Sequence, residues 1–432
     1  MRRLGQTYAF GGFRLDSNRR ILSLQAGGQT IPLATPVFDT LLYLIEHAGE
    51  LVERKALLAA VWPHVTVVDN SVNQTISALR RALGDDADAP RFVSTVAGRG
   101  YRFLAQVIPE DAATRSAEAY QLYAAGWSAL TRPSSGKLAA ALDLLKQAIV
   151  CDPGFALAHA HLADGYAMAC VHGLMPAQKA LPLLRQAAES AMKADSALPE
   201  AYVARARVQE LAEQDFPAAL ATLEHAIELD PLCFTAYRYK GIYLINFGKF
   251  DEALAALRKA QTIQPLAVYI STNIGMVLYY AGRYQEALAQ LELILRMDPD
   301  QELARAFLGR TLLQLGETQR AIRELDQGTK TLRAHASNLP VAWAMAGETD
   351  RARAALAEIL KNPQLQPADA ARIHAVLGED EEAIAWLERS VAAHTFGLFS
   401  VDPNYWSLHG HPRFQALVDR LGFRMVGPGG LV

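Results

Sequence analysis

The second half of the chain repeats itself at a fixed interval. Prolines recur at Pro231, Pro265 and Pro299, each thirty-four positions after the last. Four further series keep the same interval: Gly241, Gly275 and Gly309; Gly248, Gly282 and Gly316; Ala253, Ala287 and Ala321; Leu257, Leu291 and Leu325. Small residues allow two helices to approach closely, and leucines fill the space between them. The interval therefore predicts stacked pairs of helices instead of a single globular core.

This pattern resembles the tetratricopeptide repeat, whose unit is one helix pair of about 34 residues. The interval is regular from Pro199 to Gln327. Pro153 and Pro199 are forty-six positions apart, which predicts an insertion around His172–Lys179. The predicted divisions of the chain are a front module at residues 1–107, a linker at 108–116, the array at 117–425 and a flexible tail at 426–432.

A solenoid of this kind has a concave groove, because each repeat is rotated slightly relative to its neighbour. The resemblance implies that a protein or peptide binds in that groove. An array that serves chiefly to form a homodimer is the alternative. The following tyrosines are candidates either for lining the groove or for packing between helices: Tyr237, Tyr239, Tyr243, Tyr279 and Tyr280.

Charge is distributed unevenly along the chain. The net charge of all 432 residues is −3. Residues 1–107 contain 12 lysines and arginines against 9 aspartates and glutamates, a net charge of +3, so the remainder carries −6. A basic front module is compatible with nucleic-acid contact. Three cysteines without pairing spacing predict a reducing compartment. No apolar run is long enough to predict a membrane span, and we expect a cytoplasmic protein.

The front module begins with a sheet. Alternating apolar and polar residues predict strands at Tyr8–Leu15, Arg20–Gln25 and Gln29–Leu33, with a hairpin turn at Gly27-Gly28. Thr35-Pro36 begins a helix, and a second helix runs from Arg54 to Trp62. The order predicts an α+β fold in this part of the chain.

The third helix of the module carries the polar surface that points to function. Val72, Ile76, Leu79 and Leu83 form its apolar face, whereas the opposite face carries Asn73, Gln74, Ser77, Arg80 and Arg81. Amide and hydroxyl groups bond base edges, and guanidinium groups bond phosphates. A β-hairpin follows around Ala97-Gly98-Arg99-Gly100, with Arg99 at its tip.

This arrangement resembles the winged helix–turn–helix of OmpR/PhoB-type response regulators, over residues 8–107. The resemblance rests on Trp62, on the helix 72–84 and on the wing 93–103. It implies that the third helix enters the major groove of DNA while the wing approaches the minor groove. The chain departs from the family at Ser77, Ala78 and Ala97, where arginine is frequent. The predicted DNA-binding residues are Trp62, Asn73, Gln74, Thr75, Ser77, Arg80, Arg81, Thr95, Arg99, Tyr101 and Arg102.

No catalytic motif is present. The chain lacks GxxxxGK[ST], GxSxG and HExxH, and no GxGxxG follows a strand. His159 and His161 are two residues apart and diverge on a helix, and His409 and His411 have no cysteine nearby. We therefore predict neither an enzyme, nor a cofactor, nor a metal site.

The combined prediction is a sequence-specific DNA-binding transcriptional regulator whose array mediates partner or ligand sensing and assembly. The domain order resembles HilA-like cytoplasmic regulators, and the front module also resembles ToxR/CadC-like regulators, which cross the membrane. The segment Pro63–Val68 matches the loop that touches RNA polymerase in the family. A homodimer on double-stranded DNA is also expected. The alternative is a tetratricopeptide scaffold in which the winged helix is a protein-docking module.

Overall fold

The computed structural model describes residues 7–17, 20–24, 29–62, 70–96, 98–105, 107–109, 116–130, 135–264, 267–328, 336–362, 366–395 and 397–427. The chain forms two compact units, Met1–Gln121 and Leu122–Val432. The predicted fold class is confirmed: an α+β winged-helix domain precedes an all-α solenoid, and the chain is mostly helical.

The first unit contains two antiparallel sheets and three helices. The five-stranded sheet has the order β4-β3-β2-β1-β8, and the three-stranded sheet has the order β5-β7-β6. The elements are β1 (Thr7–Phe10), β2 (Phe13–Asp16), β3 (Ile21–Leu24), β4 (Thr30–Ile31), α1 (Thr35–Glu46), β5 (Val52–Glu53), α2 (Arg54–Val61), α3 (Asn70–Leu83), β6 (Val93–Val96), β7 (Gly100–Phe103) and β8 (Ile108–Pro109).

Two predictions about the first unit, one about a strand and one about the start of the linker, were wrong. Tyr8–Leu15 is not one strand but the hairpin β1–β2, because Gly11 and Gly12 take φ of 48° and 87° and turn the chain. The predicted linker at 108–116 begins too early, since Ile108 pairs with Ala9 and extends the sheet. The predicted turn at residues 27–28 lies outside the described residues.

The core of the first unit holds α3 in place from one side. Val72, Ile76 and Leu79 are buried together with Leu41 of α1 and Phe103 of β7. These residues cover the apolar face of α3 that the sequence predicted. The opposite face of the helix therefore remains available to solvent.

The second unit is built from consecutive helical hairpins, from α4/α5 to α18/α19. The helices are α4 (Ala117–Leu130, whose first residues belong to the first unit), α5 (Ser135–Cys151), α6 (Ala156–Val171), α7 (Ala177–Ala194), α8 (Pro199–Val208, continued by a π-helix at Gln209–Glu213), α9 (Phe216–Leu229), α10 (Phe234–Ile245), α11 (Phe250–Ile263), α12 (Val268–Tyr280), α13 (Tyr284–Met297), α14 (Glu302–Gln314), α15 (Thr318–Gly328), α16 (Asn338–Met345), α17 (Thr349–Leu360), α18 (Pro367–Val376), α19 (Asp380–Ala392) and α20 (Pro412–Arg420).

The in-phase glycines and leucines are contact partners. A Cβ atom on Gly241 would lie 2.7 Å from Leu257 Cγ, and one on Gly275 would lie 2.7 Å from Leu291 Cδ2. Gly309 meets Leu325 in the same way. Each repeat thus places a leucine of its second helix on the bare backbone of its first. This close approach is the physical reason that the interval is constant.

The predicted insertion at residues 172–179 is not an added loop. Helices α6 and α7 contain 16 and 18 residues, whereas α12 and α13 contain 13 and 14. The extra residues therefore mostly lengthen both helices of this hairpin. A five-residue turn, residues 172–176, connects them.

The two helices of a repeat differ in burial. Helix α12 buries all of its last eleven residues, Ile270 to Tyr280, whereas α13 buries Ala287, Leu291 and Ile294. The first helices therefore form an inner layer and the second helices an outer layer. Four of the five tyrosines that the sequence singled out are buried in the inner layer: Tyr239, Tyr243, Tyr279 and Tyr280.

The inner layer is covered by the end of the chain, residues 397–427, which we call the terminal segment. Asp402 Oδ2 lies 2.7 Å from Arg310 Nη2 of the inner helix α14, and Arg424 N donates to the O atom of Asn246, the residue that follows α10, at 2.9 Å. Val426 accepts a hydrogen bond from Trp406 Nε1 at 3.0 Å, so the flexible tail predicted from residue 426 does not begin there. Residues 428–432 lie outside the described part of the chain. The surface predicted to be an open groove is thus occupied by the protein itself.

The last helices also return to the early repeats. Gln214 Nε2 donates to Val391 O at 2.9 Å, and the His394 ring lies 2.7 Å from Leu211 O. Buried residues of α8 to α10 share one core with residues of α18 to α20. Contacts that span about 180 residues of sequence therefore close the array on itself.

Buried histidines make the stability of the array depend on pH. Burial lowers the pKa of His161 to about 4, although Asp164 opposes this shift, and the ring stacks on Trp127 with centroids 3.7 Å apart. Burial, together with Arg207 and Arg238, lowers the pKa of His172 to about 4. Both rings are therefore neutral in the folded protein, whereas in the unfolded chain they titrate near pH 6.5.

We expect the array to lose stability as the pH falls from about 6.5 towards 4, because the unfolded state then binds more protons. The loss at pH 5 is about 2 kcal/mol for each histidine. Urea unfolding at pH 7.5 and pH 5.0 measures this loss, and His161→Phe should remove the share of His161. His225→Phe is the control, since that side chain is 48% exposed. Equal pH dependence in wild type and His161→Phe would contradict the assignment.

None of the helices in the described ranges is long and apolar enough to span a bilayer. Within the same ranges, no three histidine, cysteine or acidic side chains gather as metal ligands would.

Candidate nucleic-acid interface

Helix α3 presents a polar face to solvent. The side chains of Asn73, Gln74, Ser77 and Arg81 are exposed, in keeping with the apolar spacing of the helix. Arg81 forms no ion pair with any described residue. Its cationic group is therefore available to an anionic partner.

Three of the predicted contact residues face inward or towards other protein groups. Thr75 is 8% exposed and lies on the side of the core. Trp62 packs half-buried against the same core. Tyr101 is 3% exposed, and only its hydroxyl reaches the polar face of α3. These side chains support the surface instead of forming it.

Arg80 joins α3 to the wing, the hairpin of β6 and β7. Its Nη2 atom donates to Val93 O at 2.8 Å and to Thr95 Oγ1 at 2.9 Å, and its Nε atom donates to Val93 O at 3.2 Å. The Arg80 guanidinium is thus hydrogen-bonded to β6, the first strand of the wing. These hydrogen bonds fix the position of the wing relative to α3.

Asp85 also holds the wing in place, and it was not among the residues predicted from the sequence. Gly84 ends α3 with φ of 61°, and the next carboxylate accepts from the backbone N atoms of Arg91 at 2.7 Å, Phe92 at 3.2 Å and Val93 at 2.8 Å. Three donors on one carboxylate hold the chain that enters β6. An aspartate directly after a helix-ending glycine was the available signal.

The wing exposes cations at its tip and along its second strand. Arg99 and Arg102 are exposed, as is Thr95 on the first strand. No described residue forms an ion pair with either arginine. A side chain on Gly100 would collide with Val52 O, so glycine is needed where β7 approaches β5. Ala97 lies outside the described residues, as does the predicted polymerase loop Pro63–Val68.

Asn73 connects the helix, the wing and α2. Its Oδ1 atom accepts from Arg54 Nη2 at 2.5 Å and from the Tyr101 hydroxyl at 3.0 Å. Arg54 begins α2 and Tyr101 belongs to β7. Three separate elements thereby meet at one exposed amide.

Seven predicted residues are exposed on α3 or on the wing. These are Asn73, Gln74, Ser77, Arg81, Thr95, Arg99 and Arg102. Helix and wing are held together by Arg80 and Asp85. A rigid polar and cationic surface of this kind suits a duplex, whose phosphates attract the arginines and whose base edges bond the amides and hydroxyls.

Comparison with known proteins supports the domain assignment. Residues 28–103 match a family model described as "Transcriptional regulatory protein, C terminal", and residues 210–268 and 278–339 each match a tetratricopeptide repeat model. The front module is therefore an OmpR/PhoB-type domain joined to tetratricopeptide repeats, as the sequence predicted.

Two curated relatives and one solved structure illustrate the match. The chain is 35% identical over 89 residues to the transcriptional activator CadC of Escherichia coli, covering 20% of this chain and 17% of CadC. It is 32% identical over 101 residues to the transcriptional regulator HilA of Salmonella typhimurium, covering 23% of this chain and 18% of HilA. The Klebsiella pneumoniae RstA DNA-binding domain in complex with the RstA box is 39% identical, covers 23% of this chain and 96% of that domain, and has a TM-score of 0.21. The chain thus matches less than a fifth of the length of CadC or HilA. These relatives are regulators and not enzymes, which agrees with the lack of catalytic motifs.

Proposed function

We propose that the chain is a transcriptional regulator that binds specific double-stranded DNA through α3 and the wing. The observation that carries this proposal is the exposed face of α3 lying beside a wing that Arg80 and Asp85 fix in place. The names of the relatives CadC and HilA support the same function.

The side chains divide by role. Asn73, Gln74 and Ser77 would bond base edges in the major groove, since amides and hydroxyls carry the required donors and acceptors. The exposed cations, Arg81 on α3 and Arg99 and Arg102 on the wing, would bond phosphates. Thr95 adds a hydroxyl beside them. The inward side chains of Trp62, Thr75, Arg80 and Tyr101 would hold this surface together.

We further propose that the array senses a partner or ligand and mediates assembly. The terminal segment covers the inner layer, so a peptide would reach the groove only by displacing that segment. A homodimer on DNA, a cytoplasmic location and contact between residues 63–68 and RNA polymerase remain predictions of the same proposal.

A salt titration of the full chain on a pool of random duplexes, followed by selection of bound sequences, tests the regulator function. We expect an enriched sequence and a log–log slope near one unit for each neutralised phosphate. A flat salt response without enrichment would favour the scaffold, in which the winged helix docks on protein.

A further inference from the structure

The amide of Asn73 is oriented by its two neighbours. Arg54 donates to Oδ1 from one side at 2.5 Å, and the Tyr101 hydroxyl donates from the other at 3.0 Å. A guanidinium group has five donors and no acceptor, so the amide must face Arg54 with its oxygen. The opposite orientation would place two donors against each other.

The Nδ2 group of Asn73 is directed by the same geometry. A carbonyl oxygen has two lone pairs, and both are already engaged. No described residue accepts a hydrogen bond from Nδ2. Because Asn73 is exposed on the polar face of α3, this NH₂ group is what the side chain offers to a ligand.

An asparagine usually reads adenine with both ends of its amide. The oxygen accepts from adenine N6 while the nitrogen donates to N7. In this protein Asn73 Oδ1 already accepts two hydrogen bonds, so it cannot also accept one from adenine N6, and the bidentate contact cannot form. The remaining NH₂ group matches acceptors in the major groove: guanine presents N7 and O6, thymine presents O4, and adenine presents N7 next to its N6 donor, whereas cytosine presents only a donor.

We propose that Asn73 reads DNA as a hydrogen-bond donor only and selects guanine or thymine against cytosine, which presents a donor. This inference rests on the proposed function and specifies the base class at one position. Arg54 and Tyr101 act as positioning residues, since they set the amide without touching the base themselves.

Variants that remove the two hydrogen bonds from Arg54 and Tyr101 to Asn73 Oδ1 test this proposal. Tyr101→Phe removes one donor and keeps the buried ring, and Arg54→Met removes the other. In the double variant, Oδ1 is released, and the bidentate adenine contact becomes possible. Lys55→Met is the matched control, because Lys55 is an exposed cation next to Arg54 that makes no contact with Asn73.

The experiment selects binding sites from random duplexes with the full-length wild type, Asn73→Ala, the double variant and the control. The position whose preference disappears in Asn73→Ala identifies the contacted base. In wild type we expect guanine or thymine there, favoured over cytosine by about tenfold. The double variant should shift the preference to adenine by a similar factor, whereas Lys55→Met should weaken binding without changing the preference.

Two results would overturn the inference. One is a wild-type preference for adenine that is lost when purine, which lacks N6, replaces adenine. The other is an unchanged base preference in the double variant while circular dichroism shows it folded. If the folded wild type enriches no sequence at all, the proposed function itself fails, which is a different outcome from a wrong base class.

Discussion

Asp402→Ala is expected to destabilise the array by about 3–5 kcal/mol and to release the terminal segment. Asp402 is 1% exposed, lies 2.7 Å from Arg310 Nη2 and lies 3.4 Å from Arg372 Nε. Burial opposes its ionisation, but the two guanidinium groups outweigh burial and hold the pKa of Asp402 below its usual range. Without this carboxylate, two buried cations would lose their shared partner.

Urea unfolding and limited trypsin digestion of the full chain measure this effect. The terminal segment contains Arg413, Arg420 and Arg424, so its release creates cleavage sites near the end of the chain. Asp419→Ala is the control, because Asp419 is an exposed aspartate of the same segment. Similar unfolding and digestion of the two variants would show that the segment does not depend on the buried ion pairs.

An apolar replacement separates charge from packing. The variant Asp402→Leu, Arg310→Met, Arg372→Met, combined with Asp369→Asn to neutralise the buried carboxylate that interacts with Arg372, removes the whole buried ionic group, and such replacements are often neutral or stabilising. We expect it to unfold at a higher urea concentration than Asp402→Ala. If it is as unstable as the single variant, the ion pairs are not the reason that Asp402 matters.

The solenoid could be predicted because its contacts are local and periodic. Gly275 and Leu291 meet within one hairpin, and the same pairing returns in the next repeat, so a repeated spacing reveals them. The position of the terminal segment could not be predicted in this way, because its contacts are neither local nor repeated. Arg310 and Asp402 are 92 residues apart, and their pairing does not recur in other repeats, so no periodic spacing reveals it. Burying Phe399 and Phe423 against the inner layer favours closure, but apolar residues at a chain end do not specify which surface they cover.

The polar face of α3 could also be predicted from periodic spacing. Apolar residues at steps of three and four identified the buried side and thereby the exposed one. Thr75 and Arg80 were less predictable, because they lie at the boundary between the two sides. Their direction depends on where the wing packs: the Arg80 side chain reaches Val93, 13 residues later, and leaves the candidate contact surface. The orientation of the Asn73 amide depends on contacts from both α2 and β7, so no local sequence pattern around Asn73 could predict it.

The exposed arginines should supply most of the phosphate binding. We expect the triple variant Arg81→Ala, Arg99→Ala, Arg102→Ala to lose roughly 100-fold in affinity for specific and random duplexes alike, at about 1 kcal/mol or more for each lost contact. Because each contact contributes close to 0.9 to the slope of log K against log salt, the slope should also become shallower by about 2.7. Titrations of the full chain at several salt concentrations measure both quantities.

A charge-matched control distinguishes contact from bulk attraction. Arg258, Arg296 and Arg323 are exposed arginines of the outer helices α11, α13 and α15, and replacing them with alanine lowers the net charge by the same three units. This control should retain the wild-type slope, because counterion release follows from phosphates neutralised at the interface and not from total charge. If both triple variants lose the same slope, α3 and the wing do not form the phosphate-binding surface. A loss confined to Arg81, Arg99 and Arg102 locates the duplex on the face that Arg80 and Asp85 hold together.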